Sequence, residues 1–443
     1  MSSRVLMPHP NPPSPSPERR AARPSLSPAT LVWSTVIAQE ARPVSGFRHF
    51  ELLVLLGALQ AFAPLSIDMY LPAMPVMEKV FHTSTAAVQL TMVTFLVGYA
   101  LGQSLYGPVT DRFGRKPPLY ASLLLFIVSS LGCAVSPSIP IMSGFRLLQA
   151  IGACGGAVMS RAMVRDLFPA HELRRIFSML VLVLGVSPVI APLFGSYLLV
   201  WFGWNAAYFA QALIGVACIA GMHFRLPESL GHDARRPLEW ASIRSAYTRL
   251  FQDRTFLGAS AVCGFGSAGT FAYITSAPFV FISLYKVPTE QFGWLFGAVA
   301  VGMVIASQIN GRMSHRVPIS RVLRYANLVQ LAAGIFLLLT VLTGAGGLPG
   351  VFVGVFFYVS AQGFVFPNGS AIAMMRHGSI AGTASALLGT NQFLIAAVTT
   401  IFLGFIDNPA VPMAIVIAGC AICATTLNFL TLGSQLETAP HPA

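Results

Sequence analysis

The stretch Gly107-Pro-Val-Thr-Asp111-Arg112-Phe-Gly114-Arg115-Lys116 decides how this chain is read. It crowds one acid and three bases between two apolar runs, 86–107 and 118–137, so the chain must turn back within a few residues. Each run is about 20 residues long, the length a helix needs to cross a hydrocarbon core about 30 Å thick. Outward from this turn, runs of the same kind recur at 50–72, 139–160, 174–200, 203–224, 256–284, 290–311, 320–343, 349–373, 379–405 and 410–432. Composition agrees, with 55% hydrophobic and 9% charged residues, against about 25% charged in soluble domains. Barrel strands would be about ten residues long and alternate in polarity, a pattern not found here. The sequence therefore predicts an all-α membrane protein with twelve transmembrane helices.

Charge placement orients these spans. With both termini cytoplasmic, 24 of the 27 Lys and Arg fall on cytoplasmic segments, Lys79 and Lys286 fall outside, and Arg146 lies within a span. Basic residues concentrate on cytoplasmic loops, which predicts a multi-pass protein of the cell inner (plasma) membrane. The net charge of +12 then faces anionic lipid, and no nucleic-acid partner need be invoked. All six cysteines fall in apolar spans, where they behave as small hydrophobes. Cys420-Ala-Ile-Cys423 has no second pair or histidine nearby, so it reads as packing, with no metal site.

Residues 1–49, basic and rich in Pro and Ser, are expected to form a disordered cytoplasmic tail. The spans divide into an N-terminal six-helix bundle (50–224) and a C-terminal one (255–432), with a short cytoplasmic tail at 433–443. Within the central loop, 225–254, Leu238, Ile243, Ala246, Tyr247, Leu250 and Phe251 fall largely on one helical face, an amphipathic helix expected on the inner leaflet. The halves repeat: Gly107–Arg112 and Gly311–Arg316 both read Gly, three residues, a polar residue, Arg. Parallel repeats are the organisation of a rocking secondary transporter whose site lies between the halves.

Two charges lie inside spans. Asp68 is the only carboxylate placed within the hydrocarbon, where a charge costs roughly 2.5–3.5 kcal/mol even on insertion scales. Such an acid marks a proton, ion or substrate path; the alternative is an acid capping the first span at the outer interface, near Pro72 and Pro75. Arg146 faces either a cavity or partner, or snorkels to the interface. In the fifth span, Pro188, Pro192 and Gly195 make a kinkable helix that admits a close neighbour; ordinary small-residue packing is the alternative. Tyr70, Gln149, Gln362, Asn368, Asn391 and Gln392 are candidates to line a cavity, with interhelical hydrogen bonding the competing reading of each.

The turn 107–116 resembles the signature of the major facilitator superfamily, G-x-x-x-D-R-x-G-R-[RK] after span 2, and every defining position matches. The resemblance implies a gating role for Gly107, Asp111, Arg112, Gly114, Arg115 and Lys116, with Asp111 set against the start of span 11 near Ser379. Arg146-Leu-Leu-Gln149-Ala150 resembles the R-x-x-Q-G of proton-coupled exporters, and Ala191-Pro192-x-x-Gly195-Ser196 partly matches the antiporter signature G-P-x-x-G-G. Asp68-Met-Tyr-Leu-Pro-Ala-Met-Pro75 and Ser160–Phe168 resemble the bicyclomycin/chloramphenicol-resistance branch of drug:proton antiporters. Related antiporters carry a second acid where this chain has Gln60.

Together these imply the two-bundle major facilitator fold and a drug:proton antiporter exporting small amphipathic antibiotics. Asp68 and Arg146 would couple to protons, because burial disfavours the charged carboxyl and Arg146 stabilises the ionised form when the two approach. Asp68, Tyr70, Gln149, Gln362, Asn368, Asn391 and Gln392 would meet substrate. Pro188, Pro192 and Gly195 would serve gating. The expected partners are substrate, protons and the bilayer; the proton gradient supplies energy without a cofactor, the unit is a monomer, and no enzyme activity is expected. The alternative is a secondary transporter of an endogenous metabolite.

Overall fold

Two prolines decide the shape of the first span. Pro72 and Pro75 have no N–H to return to the carbonyls four residues earlier, at Asp68 and Leu71. In a computed structural model of the chain, which describes residues 46–230, 240–313, 316–406 and 408–432, α1 (Gly46–Asp68) stops at Asp68. A 3-10 turn, Leu71–Ala73, follows, and α2 (Met74–Val80) completes the crossing. The next five crossings are α3 (Thr85–Phe113), α4 (Lys116–Ala134), α5 (Ile139–Leu167), α6 (Ala170–Phe202) and α7 (Ala206–Arg225).

After α8 (Trp240–Gln252) come α9 (Arg254–Pro278), α10 (Thr289–Met313), α11 (Ile319–Thr343), α12 (Gly347–Met374), α13 (Ala381–Ile401) and α14 (Ala410–Leu427). Twelve helices are long and apolar enough to span a membrane, and no strand occurs among the described residues. The repeat is visible in the element starts. An offset of 204 carries Thr85, where α3 begins, onto Thr289, where α10 begins, and Ala206 of α7 onto Ala410 of α14.

Several boundaries differ from those expected. Gly46–Phe50 is already helical, so α1 begins inside the tail assigned to 1–49. Residues 433–443 lie outside the described residues, as do Ser314 and His315 of the second repeat motif. Gly107–Phe113 forms the last turns of α3 rather than a loop, and the turn itself is only Gly114-Arg115. Gly114 has φ 88°, a conformation glycine adopts without steric penalty. An Arg115–Asp111 pair at 2.9 Å at the end of α3 supports the continued helix. α5 likewise runs on to Leu167, placing Arg161 and Arg165 on the helix rather than after it.

The amphipathic α8 seats its apolar face on protein. Ala246 and Leu250 are buried, and Leu250 and Tyr247 pack with Phe256, Leu323 and Leu387 of the C-terminal half. Phe251 stays exposed, while Leu238 and the Ile243 side chain lie outside the described residues.

The halves meet through two helix pairs, α3 with α13 and α6 with α10. Along the first pair, Ala86 lies against Gly404, Gln103 against Gly389, and Ser104 Oγ lies 2.8 Å from Thr390 Oγ1. Beyond these, toward the face where both described chain ends lie, Gly107 and Gly382 have open space beside them. Along the second pair, Leu193, Val189 and Gly185 meet Gly293, Gly297 and Val304.

Candidate functional site

A helix that stops inside the membrane leaves carbonyls that water cannot reach. Side chains from two neighbouring helices reach those at the end of α1. Arg146 Nη1 on α5 donates to the Ser66 carbonyl at 2.9 Å, and Gln211 Nε2 on α7 donates to the Leu65 carbonyl at 3.3 Å. Arg146 Nη1 also donates to Gln149 Oε1 at 2.7 Å. Gln149 Nε2 in turn donates to Ser130 Oγ at 2.7 Å and to Gln211 Oε1 at 2.8 Å.

The guanidinium is sandwiched, its Cζ 4.2 Å from the Tyr70 ring centre and 4.3 Å from that of Phe95, and both faces gain cation–π attraction. Arg146 is fully buried and does not snorkel. Its charge also suits the negative end of the α1 dipole. Tyr70 is fixed by a 3.3 Å hydroxyl contact with Thr91 and by the Tyr208 ring at 5.9 Å.

Asp68 lies between these holds and is buried, 3% exposed. No ion pair to Asp68 occurs among the described residues: Arg146 addresses the backbone at Ser66 and the ring at Tyr70, one on each side of the acid. In this conformation Arg146 grips the two flanks of the break. Gly195 of α6 supplies the third wall, because a Cβ there would collide with the Met69 carbonyl. Pro192 is buried one turn earlier on the same helix, whereas Pro188 is only half-buried.

The C-terminal half has its own polar centre. Gln362 Nε2 and Gln392 Nε2 both donate to Ser267 Oγ, at 2.8 and 2.9 Å, and Gln330 Nε2 donates to Gln362 Oε1 at 3.0 Å. Asn391 instead donates to Ser260 Oγ at 2.9 Å. Asn368 donates to Asn310 Oδ1 at 2.7 Å. The seven candidate substrate residues therefore divide: Asp68, Tyr70 and Gln149 converge at the break, Gln362 and Gln392 at Ser267, and Asn391 and Asn368 lie at separate contacts. Sequence reasoning missed Ser130, Gln211, Ser267 and Gln330; the available signal was that each is a polar side chain within an apolar run. Between the halves, the Phe393 ring lies 4.5 Å from Tyr99 and 5.5 Å from Phe271.

The charged turn forms a separate cluster. Arg115 Nε donates to Asp166 Oδ2 at 3.0 Å and its Nη1 to Thr110 Oγ1 and Asp111 Oδ1, each at 2.9 Å. Asp111 is largely exposed and is held by Arg115; no bond from it to the start of α13 is found among the described residues. Arg112 is exposed and lies over Phe113 at 5.2 Å, and Lys116 is half-buried. Glu228, after α7, accepts from the backbone N–H groups of Arg115 and Lys116 at 2.9 and 3.1 Å. Partial burial opposes its ionisation, yet the N–H groups of Arg115, Leu230, Lys116 and Ser229 hold its carboxyl below the usual range. Among the described residues no His, Cys, Asp and Glu group could hold a metal ion, and the six cysteines are free thiols.

A family model described as Major Facilitator Superfamily matches residues 56–400. The chain belongs to the major facilitator superfamily. Such a protein is a membrane transporter and not an enzyme, and its similarity to named members is extensive. It is 34% identical over 388 residues to an uncharacterized MFS-type transporter, YdgK, of Bacillus subtilis, covering 87% of this chain and 96% of the relative. It is 30% identical to a bicyclomycin resistance protein homolog of Haemophilus influenzae, covering 88% and 98%. The same identity is shared with a chloramphenicol resistance protein of Pseudomonas aeruginosa, covering 87% and 91%. These relatives place this major facilitator chain in the bicyclomycin/chloramphenicol-resistance branch. The fold matches a D-xylose-proton symporter with TM-score 0.69 at 15% identity, covering 87% of this chain and 97% of that one. It matches an inward-facing bacterial homolog of Spinster equally well, at 16% identity and 90% and 100% coverage.

Proposed function

We propose that this transporter is a drug:proton antiporter of the cell inner membrane, working as a monomer with both termini in the cytoplasm. Its cargo would be small amphipathic antibiotics of the chloramphenicol and bicyclomycin kind, the compounds named in its relatives. The observation that carries this reading is Asp68: a buried carboxyl, without an ion-pair partner among the described residues, at a helix break beside the seam between the halves. A carboxyl so placed is poised to be neutral in one state and charged in another, the requirement for exchanging a proton against cargo. Alternating access would be a rocking of the halves about the α3–α13 and α6–α10 pairs, driven by the proton gradient alone and with no cofactor.

The test is Asp68→Asn in a pump-deficient host and in proteoliposomes. Antibiotic tolerance and pH-driven export should fall at least tenfold, while the protein still reaches the membrane. Coupled export at parental rates in this variant would remove Asp68 from the coupling role. Export by the parent that ignores an imposed pH gradient would point to the facilitated export of a metabolite or drug instead.

A further inference from the structure

The internal repeat places Tyr273 one residue past the counterpart of Asp68. The 204-residue offset carries Asp68 to position 272 and Met69 to Tyr273 on α9. α1 and α9 are the first crossings of their halves; α1 loses regular helix after Asp68, and α9 runs on six residues past position 272 to Pro278, where a π-helical stretch, Phe279–Leu284, begins. The Leu71–Ala73 turn packs against α9, so Asp68 and Tyr273 lie on neighbouring segments from the two halves. The Tyr273 ring is held in place, stacked on Phe296 at 5.4 Å and edge-on to Phe281 at 6.3 Å. Its hydroxyl is buried and has no hydrogen-bond partner among the described residues. A buried phenol without an acceptor is costly, about 1–3 kcal/mol, and such groups call for an explanation.

We propose that Tyr273 is the partner of ionised Asp68 across the two halves, its hydroxyl donating to the carboxylate when the proton has left. This deepens the antiport reading and rests on it. The phenol stays neutral throughout; only a hydrogen bond forms or breaks. A donor to a carboxylate is roughly twice as strong as one to a neutral group, so loss of the proton tightens the seam at the break and its return loosens it. The seam contact thus reports the charge of Asp68 to the C-terminal half.

Other polar groups lie around the break, among them the Ser66, Thr275 and Ser276 hydroxyls, which are buried without a bond among the described residues. Tyr70 is bonded to Thr91, and the Tyr208 hydroxyl is directed at Met142 Sδ, 3.9 Å away. Arg146 Nη1 is engaged at Ser66 and Gln149, while its Nε and Nη2, sandwiched between the Tyr70 and Phe95 rings, are buried without a bond among the described residues. The ionisable residues of α6 and α10 are at 171–175, 197, 290 and 312, and those of α2 are Glu78 and Lys79 at its outer end.

Tyr273→Phe retains the ring stack and removes only the hydroxyl, so it separates this role from packing. Purified parent and variant are compared by the pH titration of the protonated-carboxyl infrared band that Asp68→Asn abolishes, and by the pH profile of chloramphenicol-driven proton release. Removing a donor to the carboxylate disfavours ionisation, so both midpoints should move upward by about one pH unit. In the Asp68→Asn background the same change should have no effect on pH dependence. Unmoved midpoints in a folded Tyr273→Phe variant overturn the proposal and leave the antiport reading intact; if the phenylalanine variant does not fold, Tyr273→Leu, which also lacks a donor, supplies the same readout. An Asp68→Asn protein that keeps coupled transport would instead strike the antiport reading itself.

Discussion

Gly195 shows how much a single missing side chain can carry. Its α-carbon faces the Met69 carbonyl so closely that a methyl group has no room, and the listener on the far side is backbone, which cannot rotate away. Gly195→Ala should therefore push α6 from the break and cut export at least tenfold, with membrane insertion unchanged; a variant with parental export and proton release would show that the contact yields freely. The sequence flags this glycine through a partial motif match, but its neighbour is more than a hundred residues away. The same holds for Arg146. Its expense is legible in the string of apolar residues around it, whereas its actual partners are carbonyls, which every residue possesses and no sequence pattern marks. The pairings among Gln149, Gln211 and Ser130, or Gln330, Gln362 and Ser267, are hidden for a related reason: which polar side chains meet depends on which helix faces meet.

Among the elements, α9 offers the most direct test of local stability. Asp253 caps its first turn, accepting from Thr255 N at 2.8 Å and Phe256 N at 3.3 Å, and its other oxygen lies 2.9 Å from His377 Nε2 between α12 and α13. Partial burial works against the charge, but the two backbone donors and His377 hold the carboxyl below its usual range. A depressed carboxylate contributes stability that is present above its unfolded value, about pH 4, and is lost as pH falls through the folded value. Asp253→Ala should lower the thermal midpoint in detergent by about 2 °C at neutral pH, as expected for loss of about 1 kcal/mol of capping. The gap between parent and variant should close below pH 4, and a gap that persists there would assign the loss to packing. Helices of this kind were readable in advance because twenty apolar residues leave few alternatives. The break after Asp68 was less so, since Pro72 and Pro75 could equally have marked the end of the span.

At the scale of the whole molecule, the α3–α13 and α6–α10 pairs are the surfaces on which the halves would have to move. Ser104 and Thr390 meet across the first pair at 2.8 Å between hydroxyls, within reach of a disulfide after modest adjustment. Ser104→Cys with Thr390→Cys, oxidised in membranes, should abolish export, and reduction should restore it; full activity in the crosslinked protein would exclude rocking at this seam. The twelve-span plan and its repeat were legible from length and charge alone. The seating of α8 on the C-terminal half was not, because an amphipathic face suits a bilayer surface and a protein groove equally well. One consequence of α6 remains. Gly195 touches the break, and half a turn earlier Leu193 touches Gly293 in the other half. Neither contact has slack, so in a proton-coupled exporter this helix would act as a rigid follower. Play at either end would surface as slip: protons crossing without cargo, measurable as a leak current rather than as a loss of binding.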